Sequence, residues 1–76
     1  MPKIFDYVGR ETLAAKIKHA AFKRSVKYLD SLRCGRPDSG LNAEIVELMI
    51  IHNFLPYFCA DDFSEQKKYL RQKFNI

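Results

Sequence analysis

The chain reads as an all-α fold, a small three-helix domain with a long first helix and a nearly all-apolar central helix. Three observations predict it. Arg10 to Arg33 is a run of good helix formers without Gly or Pro. Apolar residues recur at helical spacing, and no stretch shows the strict alternation of a strand. Beyond Gly9 the breakers fall at two places only, in the segment Gly35–Gly40 and at Pro56.

The first helix is expected over about residues 10–33. Its terminus follows from Gly35, which stands where a helix C′ residue belongs, and from Pro37, which forbids continuation. Leu13, Ile17, Ala20, Ala21, Tyr28 and Leu32 share one side, while Phe22, Val26 and Leu29 point elsewhere. The loop "GRPDSG" follows, and Ser39 or Asn42 is the expected cap of a second helix over about 41–55.

That second helix carries "VELMIIHNFLPYF", an apolar run set with a single histidine. Leu41, Ile45, Leu48, Met49, His52 and Leu55 form one stripe at about 100° per residue, and Val46, Ile50 and Phe54 form another. Pro56 disfavours helical geometry at Leu55, so a break or bend is predicted there. The third helix, about 62–74, is expected to start at Asp62 with Glu65 as a capping-box partner. Its acidic start and basic end suit the helix dipole.

Seventy-six residues are expected to make one domain, 1–76, in which core burial is the limiting resource. A content of 47% hydrophobic and 29% charged residues excludes disorder. The opening "MPKIFDY" does not read as a signal peptide, and the apolar run is too short to span a bilayer, which takes about 20 residues. A soluble, cytoplasmic protein is the expectation. Cys34 and Cys59 form no metal-binding or redox pair and read as buried free thiols, with a single disulfide as the alternative.

Two helices with two apolar faces each exceed what a three-helix domain usually buries. One cover is internal, with Ile4, Phe5, Tyr7 and Val8 folding back on one side and Phe63, Leu70 and Phe74 on the other. The other cover is a partner, a different protein or a second copy of the chain. The contact set predicted for it is Phe22, Val26, Leu29, Val46, Ile50 and Phe54, flanked by Lys16, Lys23 and Lys27 for electrostatic steering. A heavy aromatic load, four Tyr and six Phe, suits such an interface.

Charge is segregated along the chain. Residues 1–37 hold nine Lys/Arg against three acids, residues 38–62 hold five acids and no Lys or Arg, and residues 63–76 hold four bases and one acid. Lys16, His19, Lys23 and Lys27 share a side of the first helix, and Lys67, Lys68 and Arg71 cluster on the last. These six Lys and Arg residues are the candidates for the alternative function, nucleic-acid binding; the competing reading is a solvated face. The last two helices can be cast as a helix-turn-helix with Gln66, Lys67 and Arg71 as readers, but the connection "PYFCADD" is long for that motif and lacks glycine.

No Gly-rich phosphate loop, metal-ligand spacing or nucleophile elbow occurs, and so small a bundle is expected to have little room for a ligand pocket. No cofactor, metal or small-molecule substrate is expected. His52, on the inner stripe, reads as a buried neutral imidazole whose enclosure would make the fold sensitive to pH below about 6.5. The function expected is therefore a non-enzymatic protein-binding module: an adaptor, an assembly factor or a small inhibitor.

Overall fold

The structure, a computed structural model, describes residues 7–76, with side chains from residue 9 onward. It is all-α. Helix α1 spans Tyr7–Arg33, α2 spans Ser39–Phe54, and α3 spans Ala60–Phe74; one turn of 3-10 helix, Leu55–Tyr57, follows α2 directly. The expected covering role of Ile4, Phe5, Tyr7 and Val8 lies outside the described residues and side chains.

Helix α1 begins a turn earlier than expected and runs through Gly9. A helical glycine costs only about 1 kcal/mol, and the neighbouring Arg10 fixes this turn from within. At the other end the chain closes as foreseen. Gly35 takes φ +75°, its N–H donates to the Leu32 carbonyl at 3.0 Å, and the Arg36 N–H donates to the Ser31 carbonyl at 3.0 Å. That pair of bonds is a Schellman closure, and a side chain at Gly35 would be strained.

The cap of α2 is one residue before the predicted one. Asp38, in extended backbone, accepts from the Leu41 N–H at 3.1 Å, so neither Ser39 nor Asn42 is the cap. Asp outranks most residues in this position, and its ψ of 97° leaves the carboxylate free to turn back on the first turn. The Ser31 hydroxyl ties the two helices together: it donates to the Tyr28 carbonyl at 2.6 Å and accepts from the Asp38 N–H at 3.2 Å.

Pro56 breaks α2 where expected, and the chain tightens into the 3-10 turn before extending at Phe58. Helix α3 then starts at Ala60 with Cys59 before it, so Asp62 is not its cap. Asp61 and Asp62 sit inside the first turn, where their charge suits the exposed N–H groups. Asn75 closes this helix in the left-handed region, φ 58°, which Asn tolerates better than most residues.

One cluster of buried residues holds the three helices. It comprises Leu13, Ile17 and Ala21 from α1, Leu48 and Ile51 from α2, Leu55, and Phe63, Leu70 and Phe74 from α3. Phe63, Leu70 and Phe74 close one side as expected. Ile51, which belongs to neither predicted stripe of α2, is buried, and Leu32, assigned to the inner side of α1, is exposed. Of the inner stripe of α2, only Leu48 and Leu55 are fully enclosed; Leu41, Ile45, Met49 and His52 are half-buried.

Arg10 is the buried polar residue of this core. Its Nη1 donates to the Leu55 carbonyl at 2.6 Å and its Nη2 to the Phe58 carbonyl at 2.7 Å, while the guanidinium lies 4.6 Å from the centre of the Phe63 ring. The Leu55 carbonyl accepts also from the Phe58 N–H at 3.3 Å, and the Phe58 carbonyl follows extended backbone. One forked cation thus meets both where the chain leaves the helix. Arg10 thus joins α1, the 3-10 turn and α3. Arg10→Met is expected to cost about 2–4 kcal/mol in urea unfolding, since two carbonyls lose a charged donor, and Arg10→Lys is expected to recover less than half. A loss below about 0.5 kcal/mol for Arg10→Met would remove the clamp from the account.

Candidate interaction surfaces

Helix α2 turns Leu48 to the core, and Val46, Ile50 and Phe54 fall about 160–240° round from it. All three are exposed, at 49%, 52% and 55%. On α1 the corresponding trio lies about 120–180° from Ile17, and Phe22, Val26 and Leu29 are exposed by 64%, 46% and 54%. The six residues predicted as a contact set are thus all left in solvent, together with Leu32, Tyr57 and Tyr69.

They do not share one cavity. Val46 and Ile50 line a groove of about 590 Å³ between α2 and α3, together with Ala43, Glu47, Ile51, Gln66 and Tyr69. Phe22, Val26, Leu29 and Phe54 line none of the three described grooves and stand on open helix faces. The grooves are larger than expected for so small a bundle, though all are open to solvent.

One rim of the α2–α3 groove is polar. Lys73 Nζ donates to Glu47 Oε1 at 2.8 Å and to the Tyr69 hydroxyl at 3.2 Å, and the Tyr69 hydroxyl donates to the other Glu47 carboxylate oxygen. The bond from Lys73, reinforced by the Tyr69 hydroxyl, holds the Glu47 carboxyl below its usual range. The bond to Glu47 in turn raises the Lys73 ammonium above its usual value. Inside the groove, Gln66 Oε1 is buried without a hydrogen-bond partner among the described residues. A buried orphan acceptor costs about 1–3 kcal/mol.

Sequence reading missed this trio. Tyr69 and Lys73 are spaced by four and so share a helix side, but Glu47 lies 26 positions before Lys73 and is brought to it only by the packing of α2 on α3. Gln66 faces that groove while Lys67 and Arg71 line a different one, so α3 does not present the three together as a reading helix.

The basic residues are gathered by the fold. Lys16, His19, Lys23, Arg24 and Lys27 line a groove of about 580 Å³ with Leu41, Glu44 and the end of α3. Lys16 also lines a second groove, about 520 Å³, with Lys67, Lys68 and Arg71. Lys16, Lys23 and Lys27 lie on the other flank of α1 from Phe22 and Leu29, about 80–120° from Ile17, so they border the apolar trio and do not ring it.

His52 is half-buried and meets only the Asn53 amide oxygen, at a long 3.5 Å, so it is not the enclosed imidazole that was expected. Cys34 and Cys59 are free thiols, and both are exposed instead of buried. Cys34 follows the last turn of α1 and Cys59 precedes α3, positions that no core helix covers. No group of three His, Cys, Asp or Glu side chains among the described residues is arranged to hold a metal ion. No helix among them is long and apolar enough to cross a membrane.

No family model, no curated protein and no solved structure matches this chain.

Glu47→Gln gives a test of the rim. A depressed carboxyl pKa adds stability that is present above the ordinary carboxylate range and is lost as pH falls through the depressed value. The melting-temperature gap between wild type and Glu47→Gln is therefore expected to be constant near neutrality and to close in acid. A gap that stays the same down to about pH 2 would show that the pairing contributes nothing.

Proposed function

We propose that this chain is a non-enzymatic protein-binding module, an adaptor, assembly factor or small inhibitor that works by occupying a partner's surface. One observation carries the reading: Phe22, Val26, Leu29, Val46, Ile50 and Phe54 are all between 46% and 64% exposed although the chain has few residues with which to build a core. Isolated exposed apolar residues are ordinary, but two helix faces of three each are not.

Magnitudes limit what such a surface does alone. Full burial of a Val, Leu, Ile or Phe side chain yields about 1.5–3 kcal/mol, and roughly half of that is still available at each of the six. The sum, on the order of 5–8 kcal/mol, is comparable with the cost of association, about 4–15 kcal/mol. Tight binding therefore draws on polar anchors as well. The Glu47–Tyr69–Lys73 rim of the α2–α3 groove is placed for that role, and Phe54 and Phe22 are the aromatic side chains suited to a hot spot. The partner on this reading is another protein or a second copy of the chain.

The test is an Ile50→Lys, Phe54→Lys double variant. Because both positions are exposed, its melting temperature is expected to stay within a few degrees of wild type. Wild type is expected to run above single-chain mass in light scattering, or to retain a protein from native lysate that the variant does not. A wild type that is monomeric at high concentration and retains the same proteins as the variant would overturn the reading.

A further inference from the structure

We infer that the face formed by α1 and α3 binds the phosphate backbone of a nucleic-acid duplex without reading its sequence. The face borders the apolar stripe of α1 and shares Lys16, Lys23 and Lys27 with its flank, but it uses none of the six apolar residues assigned to a protein partner.

The first support is convergence. Lys16, Lys23 and Lys27 come from α1 and Lys67, Lys68 and Arg71 from α3, yet all six line two grooves that meet at Lys16 and Ile76. On α3 the three lie about 60–160° from Leu70, while Asp62 and Glu65 fall on the other side of the helix. Asp61 stands at about 180°, beside Lys68, and Lys73 lies on the side of Asp62 and Glu65, while the flank with Lys67 and Arg71 is turned towards Lys16 of α1.

The second support is the pairing of the cations. Arg24 bonds Glu44 at 2.7 Å, Lys73 bonds Glu47 at 2.8 Å, and Arg33 lies 3.7 Å from Asp30. None of the six groove cations makes an ion pair among the described residues, and Glu44, the carboxylate lining these grooves, is already held by Arg24. Six exposed like charges along two helices repel one another, and a polyanion relieves that repulsion while releasing its own counterions.

The third support concerns the kind of polyanion. Of the exposed aromatic residues, Phe22, Phe54, Tyr57 and Tyr69, none lines either groove. Phe63 and Phe74, which lie beneath Lys67 and Arg24, are buried. A single strand needs aromatic platforms on which bases stack, and this face offers none. An anionic membrane would engage apolar side chains set among the cations, and α3 exposes none beside Lys67, Lys68 and Arg71. On α1 the cations border Phe22 and Val26, which makes a vesicle the competing ligand in the test. The groove with Lys16 on one wall and Lys67, Lys68 and Arg71 on the other, continued along α1 by Lys23 and Lys27, fits the convex phosphate ridge of a duplex.

The experiment is fluorescence anisotropy with a random-sequence DNA duplex of about 20 base pairs, across about 25–200 mM salt. Binding is expected to fall with a slope of about −4 to −5 in log K against log salt, from roughly five neutralised phosphates. Lys16→Gln with Lys23→Gln, and separately Lys67→Gln with Lys68→Gln, are each expected to flatten that slope by about 2. All four lysines are exposed, so the fold should survive, and circular dichroism checks that it does. An Ile50→Gln, Phe54→Gln variant, which leaves the charge unchanged, should keep the full slope, which separates this site from the protein-binding surface. Undetectable binding at the lowest salt, binding that neither Gln pair weakens, or tighter binding to phosphatidylserine vesicles than to the duplex would each overturn the assignment.

Discussion

Three helices give each helix at most two neighbours, and α2 carries apolar residues on more sides than two neighbours reach. Its core side, Leu48, Ile51 and Leu55, is met by α1 and α3. Its far side, Val46, Ile50 and Phe54, is left standing in solvent. The rest of the architecture accommodates this imbalance. The long α1 lies along α2, α3 closes the core with Phe63, Leu70 and Phe74, and no further helix among the described residues is left to cover the outer stripe.

The break after α2 is what allows α3 to return. Pro56 ends α2, and the bend that follows turns the Leu55 and Phe58 carbonyls towards Arg10. Arg10 answers both with one guanidinium and rests on Phe63, so the first turn of α1 and the first turn of α3 are tied to the same bend. A buried cation is costly to desolvate, which makes this a point where specificity of the fold outweighs simple hydrophobic gain. The same packing separates functions in space. The α2–α3 side carries the apolar groove and the Glu47–Tyr69–Lys73 rim, and the α1–α3 side carries unpaired cations.

Helix existence and type were legible in the sequence because they rest on local terms: propensity, the Gly35 stop and the Pro56 break. The exposed trios were legible for the same reason, since a face that cannot be inward on a 3.6-residue repeat declares itself by spacing alone. What spacing could not reach was anything decided between helices. Asp38 replaced Ser39 as cap by one position, and α3 started at Ala60, because the ends of helices are set by the loops that feed them. Ile51 was buried because it lies one turn from Glu47, on the side of α2 that Tyr69 and Lys73 of α3 meet, and His52 was left half-buried beside it. Arg10 looked like an ordinary helix-start residue. Only the arrival of Leu55 and Phe58, some 45 positions later, makes it the clamp.

The claim underneath all of this is that the folded chain leaves one side of α2 and one side of α1 wet. Nuclear magnetic resonance of methyl groups, recorded in dilute solution with a soluble paramagnetic agent, reads that property directly. The account predicts strong broadening for Val26, Leu29, Val46 and Ile50, and none for Ile17, Leu48 and Leu70. Equal protection of both groups on dilution would mean that the chain covers its own apolar faces, and the case for a protein partner would fall with it.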